Sequence, residues 1–237
     1  MKTIPVAALI EEATKDIPGW SPQDQLLSLF TLAFSSAGLG GDILELGSWC
    51  GRSAVALGLA AKLSDKGKLH CVDLFPEKND WYQNEDGTYS LVVSIDNRRI
   101  GAYGDQTVWA EPYLRDIAPL YERFSGTLQA FNVAMAENEL TDFVTPYRAD
   151  LEKFITIAPK GLELRLAFID GDHSYSAVSK DIEIVEQFLL PGGWICFDDA
   201  FSSYEGVNQA IVESIIDSGR YSNCQQITRK FFVAQRR

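Results

Sequence analysis

Short apolar runs that end in carboxylates recur along this chain, and no other feature narrows its possible folds as much. Residues 42–47 (DILELG), 68–74 (KLHCVDL), 166–170 (LAFID) and 194–199 (WICFDD) are brief and rich in Leu, Ile, Val, Cys and Phe. Runs of that length and composition read as buried strands. Residues 143–147 form a further short strand, and two C-terminal runs, 224–228 and 230–234, read as a hairpin.

Helical spacing fills the intervals. Residues 53–63 are rich in Ala and Leu and stop near Gly67. Leu128, Phe131 and Met135 mark a face of 127–140. Val178, Ile182, Val185 and Leu189 mark 174–190, with Pro191-Gly192-Gly193 as the expected stop. Val207, Ala210, Ile211 and Ile215 mark one more helix. Strand–helix alternation predicts an α/β fold, a mostly parallel sheet with helices on both faces. Such sheets bind ligands beyond the carboxyl ends of their strands. Glu45, Asp73, Asp170, Asp198 and Asp199 fall at or near those ends, a placement that solubilising charge does not explain.

Two regions depart from the alternation. Residues 1–40 read as an N-terminal helical region, with Leu26, Leu27, Phe30, Leu32 and Phe34 on a broad apolar face and Ser21-Pro22 as N-cap and first helical residue. Residues 41–237 then form the main domain. Within it, 76–122 is too long for a strand–helix loop. It carries seven aromatics, Tyr103 among them, with Gly87, Gly101 and Gly104 between. It is expected to be a lid or substrate-binding insertion, or a dimer-packing element.

The chain has 33 acids against 21 Lys and Arg, a net charge of −12, which argues against a phosphate-neutralising surface and hence against nucleic-acid partners. No apolar run approaches the ~20 residues that span a bilayer, and the N-terminus does not read as a signal peptide. Cys50, Cys71, Cys196 and Cys224 form no CxxC pair. They are expected to be reduced buried thiols of a cytoplasmic protein.

Three constellations carry chemistry. In Glu45-Leu46-Gly47-Ser48-Trp49-Cys50-Gly51-Arg52-Ser53 a strand ends, glycines admit close backbone approach, and a helix begins with free N–H groups. It is not a dinucleotide-binding GxGxxG: the third glycine is missing, and Trp49 stands where a small residue is required. Asp73 ends the next strand, where an acid can accept from a ribose diol. Asp150 either N-caps a short helix or accepts from an adenine amino group. The third constellation joins FIDGDHSY (168–175) to Phe197-Asp198-Asp199. Adjacent strand ends lie about 5 Å apart, and two bare charges 4 Å apart repel by about 4 kcal/mol at an effective dielectric near 20. A hard cation among Asp170, Asp198 and Asp199 removes that conflict: Mg²⁺, with Mn²⁺ or Ca²⁺ as alternatives. Asp172 is the expected bystander, a helix-capping acid. His173 stands beside these acids as a general-base candidate. His70 reads as a packing residue.

Over about residues 40–235 these motifs resemble the class I S-adenosylmethionine-dependent methyltransferases. More narrowly they resemble metal-dependent small-molecule O-methyltransferases of the macrocin and macrolide-sugar type. FIDGDHSY and PGGWICFDD (191–199) are the most specific segments. The resemblance implies a Rossmann-like, seven-stranded sheet whose last strand is antiparallel. It also implies that Glu45, Gly47, Ser48, Gly51 and Ser53 line the S-adenosyl-L-methionine site, with Asp73 at the ribose and Asp150 near the adenine. Asp170, Asp198 and Asp199 would bind the metal, and His173 would be the base. A tryptophan at 49 departs from the widespread glycine motif. The expected reaction is methylation of a small-molecule hydroxyl, on a phenol or a natural-product sugar, by a homodimer. Two other readings use a similar sheet: a non-catalytic nucleoside-binding scaffold, which needs neither the acid cluster nor His173, and an NAD-dependent oxidoreductase, which the missing glycine disfavours. Arg98, Arg99 and Arg115 are candidates for recognising an acidic substituent or, more simply, solvated surface residues.

Overall fold

The computed structural model describes residues 5–102 and 107–237. Tyr103 and Gly104 therefore lie outside the described residues. The apolar runs form the central strands: β1 (Asp42–Leu46), β2 (Leu69–Asp73), β6 (Val144–Arg148), β7 (Leu164–Ile169) and β8 (Leu189–Phe197). The two C-terminal runs are β9 (Tyr221–Gln226) and β10 (Phe232–Arg236). Together they make a seven-stranded sheet in the order β6-β2-β1-β7-β8-β10-β9. β10 pairs antiparallel with both neighbours, and every other pairing is parallel, so the last strand alone is reversed. This is the mostly parallel sheet that the alternation predicts, with the seven strands and reversed last strand that the resemblance implies.

Pleating sorts each strand's side chains between two helical layers. Ile43, Cys71 and Phe168 face a layer built from α1 (Val6–Thr14), α2 (Gln23–Ser35), α3 (Arg52–Ser64) and α6 (Thr127–Glu137). Leu44, Leu46, Val72 and Ile169 face α7 (Leu151–Ile157), α8 (Tyr175–Glu186) and α9 (Glu205–Ile211). The described residues of the insertion form an antiparallel three-stranded sheet of β3 (Trp81–Gln83), β4 (Tyr89–Ile95) and β5 (Arg98–Ala102), and the short helices α4 (Ala110–Pro112) and α5 (Leu120–Arg123). Asp96 and Asn97 turn the β4–β5 hairpin, both at positive φ, as a tight hairpin turn requires.

Two local expectations are corrected. Ser21 does not cap α2: the N-cap position is Pro22, without a side-chain bond, while the Ser21 carbonyl accepts from Arg52 Nε at 3.1 Å. Nor does Pro191-Gly192-Gly193 stop a helix running to 190. α8 ends at Glu186, and the PGG triplet lies inside β8. The C-terminal strand explains the early end. Arg236 donates to the Glu186 and Leu189 carbonyls, so a tertiary partner satisfies the Glu186 carbonyl that further helix would have used, and Gln235 Nε2 donates to the Gly192 carbonyl within β8 at 2.8 Å. Cys50, Cys71 and Cys196 are buried free thiols, whereas Cys224 is exposed on the edge strand.

Candidate functional site

Parallel register brings the motifs together. Leu46 pairs with Val72 and with Ile169, and Ile169 with Phe197. One residue further on, Asp73, Gly47, Asp170 and Asp198 form a row across four strand ends. Backbone bonds hold the row: Gly47 N–H to Val72 O (2.9 Å), Asp170 N–H to Leu46 O (2.9 Å) and Asp198 N–H to Ile169 O (3.1 Å). The row floors a cavity of about 690 Å³, walled by the β1–α3 loop, the α8 N-terminus, the N-terminal segment at Trp20 and the insertion.

The loop after β1 has little conformational freedom. Gly47 sits at φ 86°, and a Cβ there would come within 1.9 Å of the Asp170 carbonyl oxygen. Gly51, at φ 91°, precedes α3, and a Cβ would press on Met135 and Phe131. Asp73 Oδ2 accepts the Trp49 N–H at 2.9 Å. Burial pushes the Asp73 carboxyl up, against the backbone N–H groups of Trp49, Phe75 and Ser48. Glu45 lies differently from its strand-end companions. Pleating turns it towards α3, where it is fully buried and accepts from Ser48 Oγ at 2.6 Å and Cys71 Sγ at 3.3 Å. It is outside the cavity wall, as is Gly51, while Gly47, Ser48 and Ser53 line it.

Asp150 lines the cavity and also caps α7, accepting the Lys153 N–H at 2.8 Å. Its other oxygen pairs with Arg98 of the insertion. Lys153 in turn pairs with Asp96 at 2.7 Å, so two ion pairs tie the β4–β5 hairpin to the start of α7. Arg98 and Arg115 are thus engaged with acids of this chain, Arg115 with Glu111 and Asp116.

The acid cluster lies at the opposite end of the row. Ligand atoms of Asp170, His173 and Asp199 fall within 4.8 Å of one another. His173 Nε2 is 3.1 Å from Asp199 Oδ2, and its ring stacks on Tyr204 at 4.1 Å. Burial, reinforced by Asp198 and Asp199, pushes the Asp170 carboxyl well above its ordinary value. Burial would raise Asp199 too, but its hydrogen bond to His173 and the charge of Lys230 outweigh that and hold it low. Carboxylate oxygens packed so that like charges oppose ionisation fit a hard divalent cation. Asp198 is oriented differently. Its Oδ1 accepts the Asp199 N–H at 2.8 Å, and its Oδ2 lies 2.9 Å from Lys230 Nζ. Asp172 accepts the Ser174 N–H at 2.7 Å, and Ser174 caps α8. His70 is buried between Asp42 (2.9 Å) and Tyr147 (3.3 Å) in the sheet, away from the cavity.

Four residues of the site escaped the sequence reading. Lys230 Nζ contacts both Asp198 and Asp199. Asp181 of α8 lines the cavity, its carboxyl pushed up to about 7 by burial and by Asp172 and Asp150. Trp20 lies 5.7 Å from Trp49, which meets Trp81 edge-on at 6.4 Å. Arg52 donates to the Thr14, Ile17 and Ser21 carbonyls, fastening the N-terminal helices to the rim. Lys230 left a trace in sequence as a cation opening the last apolar run, and Arg52 stood within the quoted β1–α3 motif without a role.

Known proteins share this architecture. The O-methyltransferase NovP superposes with a TM-score of 0.64 at 15% identity, covering 92% of this chain and 83% of NovP. A Bacillus cereus O-methyltransferase in complex with SAH superposes with a TM-score of 0.59 at 16% identity, over 100% of this chain and 93% of that one. An uncharacterised protein, R132 of Acanthamoeba polyphaga mimivirus, is 27% identical over 158 residues, 62% of this chain. The chain spans 65%, just under two thirds, of that relative's length. The methyltransferase domain family matches residues 44–200, which contain the whole strand-end row, and the chain belongs to that family.

Proposed function

We propose that this methyltransferase transfers the methyl of S-adenosyl-L-methionine to a hydroxyl of a small ring-bearing molecule with the help of a divalent metal ion. The observation that carries the reading is the single row Asp73–Gly47–Asp170–Asp198. It sets a nucleoside-type acid, a glycine turn and an acid cluster with His173 along one cavity. The fold likeness to NovP and to the Bacillus cereus O-methyltransferase supports it.

The bound cofactor supplies an electrophilic methyl group, and Mg²⁺ (or Mn²⁺ or Ca²⁺) supplies Lewis acidity that lowers a hydroxyl's pKa. The remaining work belongs to the chain. Gly47, Ser48 and Ser53 let the backbone approach the cofactor, with Gly51 setting the loop's path and Glu45 pinning Ser48 from below. Asp73 holds the ribose diol. Asp150 braces the adenine end, capping α7 and holding the hairpin through Arg98. Asp170 and Asp199 hold the metal, with Asp198 beside them. His173 takes the hydroxyl proton, and the adjacent Asp199 carboxylate stabilises the imidazolium that forms. The walls of Trp20, Trp49, Trp81 and Trp109 suit a flat or ring-bearing acceptor, a phenol or a sugar. The 76–122 segment acts as the lid, and the proposed assembly is a homodimer.

The test is transfer of labelled methyl from S-adenosyl-L-methionine to a panel of phenols and glycosides, with and without EDTA. Transfer that chelation abolishes and Mg²⁺ restores is expected. Transfer indifferent to EDTA removes the metal from the reading. Cofactor binding by calorimetry with no transfer to any hydroxyl points to the scaffold alternative.

A further inference from the structure

The cation that the acid cluster calls for is already partly supplied by the chain itself. Lys230 stands just before β10, and the antiparallel register that pairs Phe232 with Phe197 sets residue 230 opposite Asp199. The Ala200 N–H donates to the Lys230 carbonyl at 2.9 Å, which fixes its backbone there. The side chain then reaches Asp198 Oδ2 at 2.9 Å and Asp199 Oδ1 at 3.2 Å, and it is mostly buried. Burial disfavours the ammonium, yet Asp198, Asp199 and Asp170 together hold it charged beyond the ordinary lysine range. The three carboxylates offer six oxygens. Lys230 occupies one of Asp198 and one of Asp199, the Asp199 N–H occupies the other of Asp198, and His173 faces the other of Asp199.

We propose that Lys230 is a resident cation that confines a divalent ion to the Asp170–Asp199 corner, beside His173, and weakens its binding. This rests on the metal-dependent reading above. Lys230 is a positioning residue in this scheme, acting on the ion through Asp198 and Asp199. The physical reason is like-charge repulsion: an ion ligated by Asp199 lies close to an ammonium bound to the same carboxylate, in a partly buried site where screening is weak. It follows that the ion binds less tightly than three free carboxylates would bind it.

The experiment is a Mn²⁺ titration of the whole protein, without cofactor or acceptor, with free Mn²⁺ read by its electron paramagnetic resonance signal. Wild type, Lys230→Met, Lys230→Gln and Lys230→Arg are compared, with thermal unfolding as a check that each is folded. The expected result is that Met and Gln tighten Mn²⁺ binding at least tenfold while Arg, which keeps the charge, stays near wild type. A lysine that only props the loop gives the reverse, weaker binding in Met and Gln. Binding that is equal or weaker in both neutral variants overturns the proposal and leaves metal dependence standing. No Mn²⁺ binding by wild type or either neutral variant overturns both. Binding seen only once the charge is removed supports the proposal in its strongest form.

Discussion

Single carboxylates in this molecule take different roles because their surroundings differ. Asp199 is held ionised beside His173 and Lys230, whereas Asp170, deeper and facing two like charges, is pushed towards its neutral form. The pairing of His173 with Asp199 fits an imidazole that accepts a proton during turnover. His173→Ala is expected to lower methyl-transfer turnover by about 10²–10⁴-fold, with S-adenosyl-L-methionine affinity by calorimetry unchanged. Asp181 gives a stability prediction. Its folded-state pKa, about 7, lies above the ordinary value of 3.8. Between pH 4 and 7 the folded state therefore holds a proton that the unfolded state has released, so stability falls as pH rises through that window. Asp181→Asn removes this loss. Its melting temperature is expected to exceed wild type by several degrees at pH 8 and to match it near pH 4, as read by thermal denaturation at both.

At the scale of elements, the site depends on how helices and strands end. The β1–α3 turn exists because Gly47 takes a left-handed conformation with no room for a side chain against the Asp170 carbonyl. The strand-to-helix junction was legible in ELGSWCGRS, but the contact that makes the glycine obligatory joins residues over a hundred apart in sequence. Asp150 shows the reverse. Its capping role is local and was one of two readings open from sequence, and the structure adds the bond to Arg98. Asp150→Ala is expected to cost about 1 kcal/mol through loss of the α7 cap, read as a shift in the denaturant midpoint, with Asp150→Ser recovering most of it. The α8–β8 boundary was misread because helical spacing continues past Glu186. What meets the helix end is a side chain from the far end of the chain, Arg236, which donates to the Glu186 carbonyl.

Over the whole molecule, two arginines tie the N-terminal helices to the rest of the fold, one from α3 and one from β7. Arg52 fastens the carbonyls at the end of α1 and before α2. Arg165 is fully buried within β7 and donates to the Ala33, Gly41 and Lys66 carbonyls, joining α2, the entry to β1 and the entry to β2. Arg165→Met keeps much of the volume but removes all three of those hydrogen bonds. It is expected to destabilise the protein by roughly 1–3 kcal/mol for each buried carbonyl it leaves unpaired, measured as the loss of unfolding free energy in a urea titration. No helix among the described residues is long and apolar enough to cross a membrane.

The sequence by itself determined the strand–helix alternation, the C-terminal hairpin and the acids gathered at strand ends. Those properties follow from hydrophobic periodicity and turn chemistry, which are local. Register was decided only in three dimensions. Pairing across β2, β1, β7 and β8 aligns Asp73, Gly47, Asp170 and Asp198, and pairing of β10 against β8 delivers Lys230 to the acid cluster. Hydrogen bonding between strands far apart in the chain sets those alignments, and no window of sequence contains both partners. The same limit explains Glu45, which reads as one strand-end acid among five until the pleat turns it inward beneath the loop, away from the cavity its companions line.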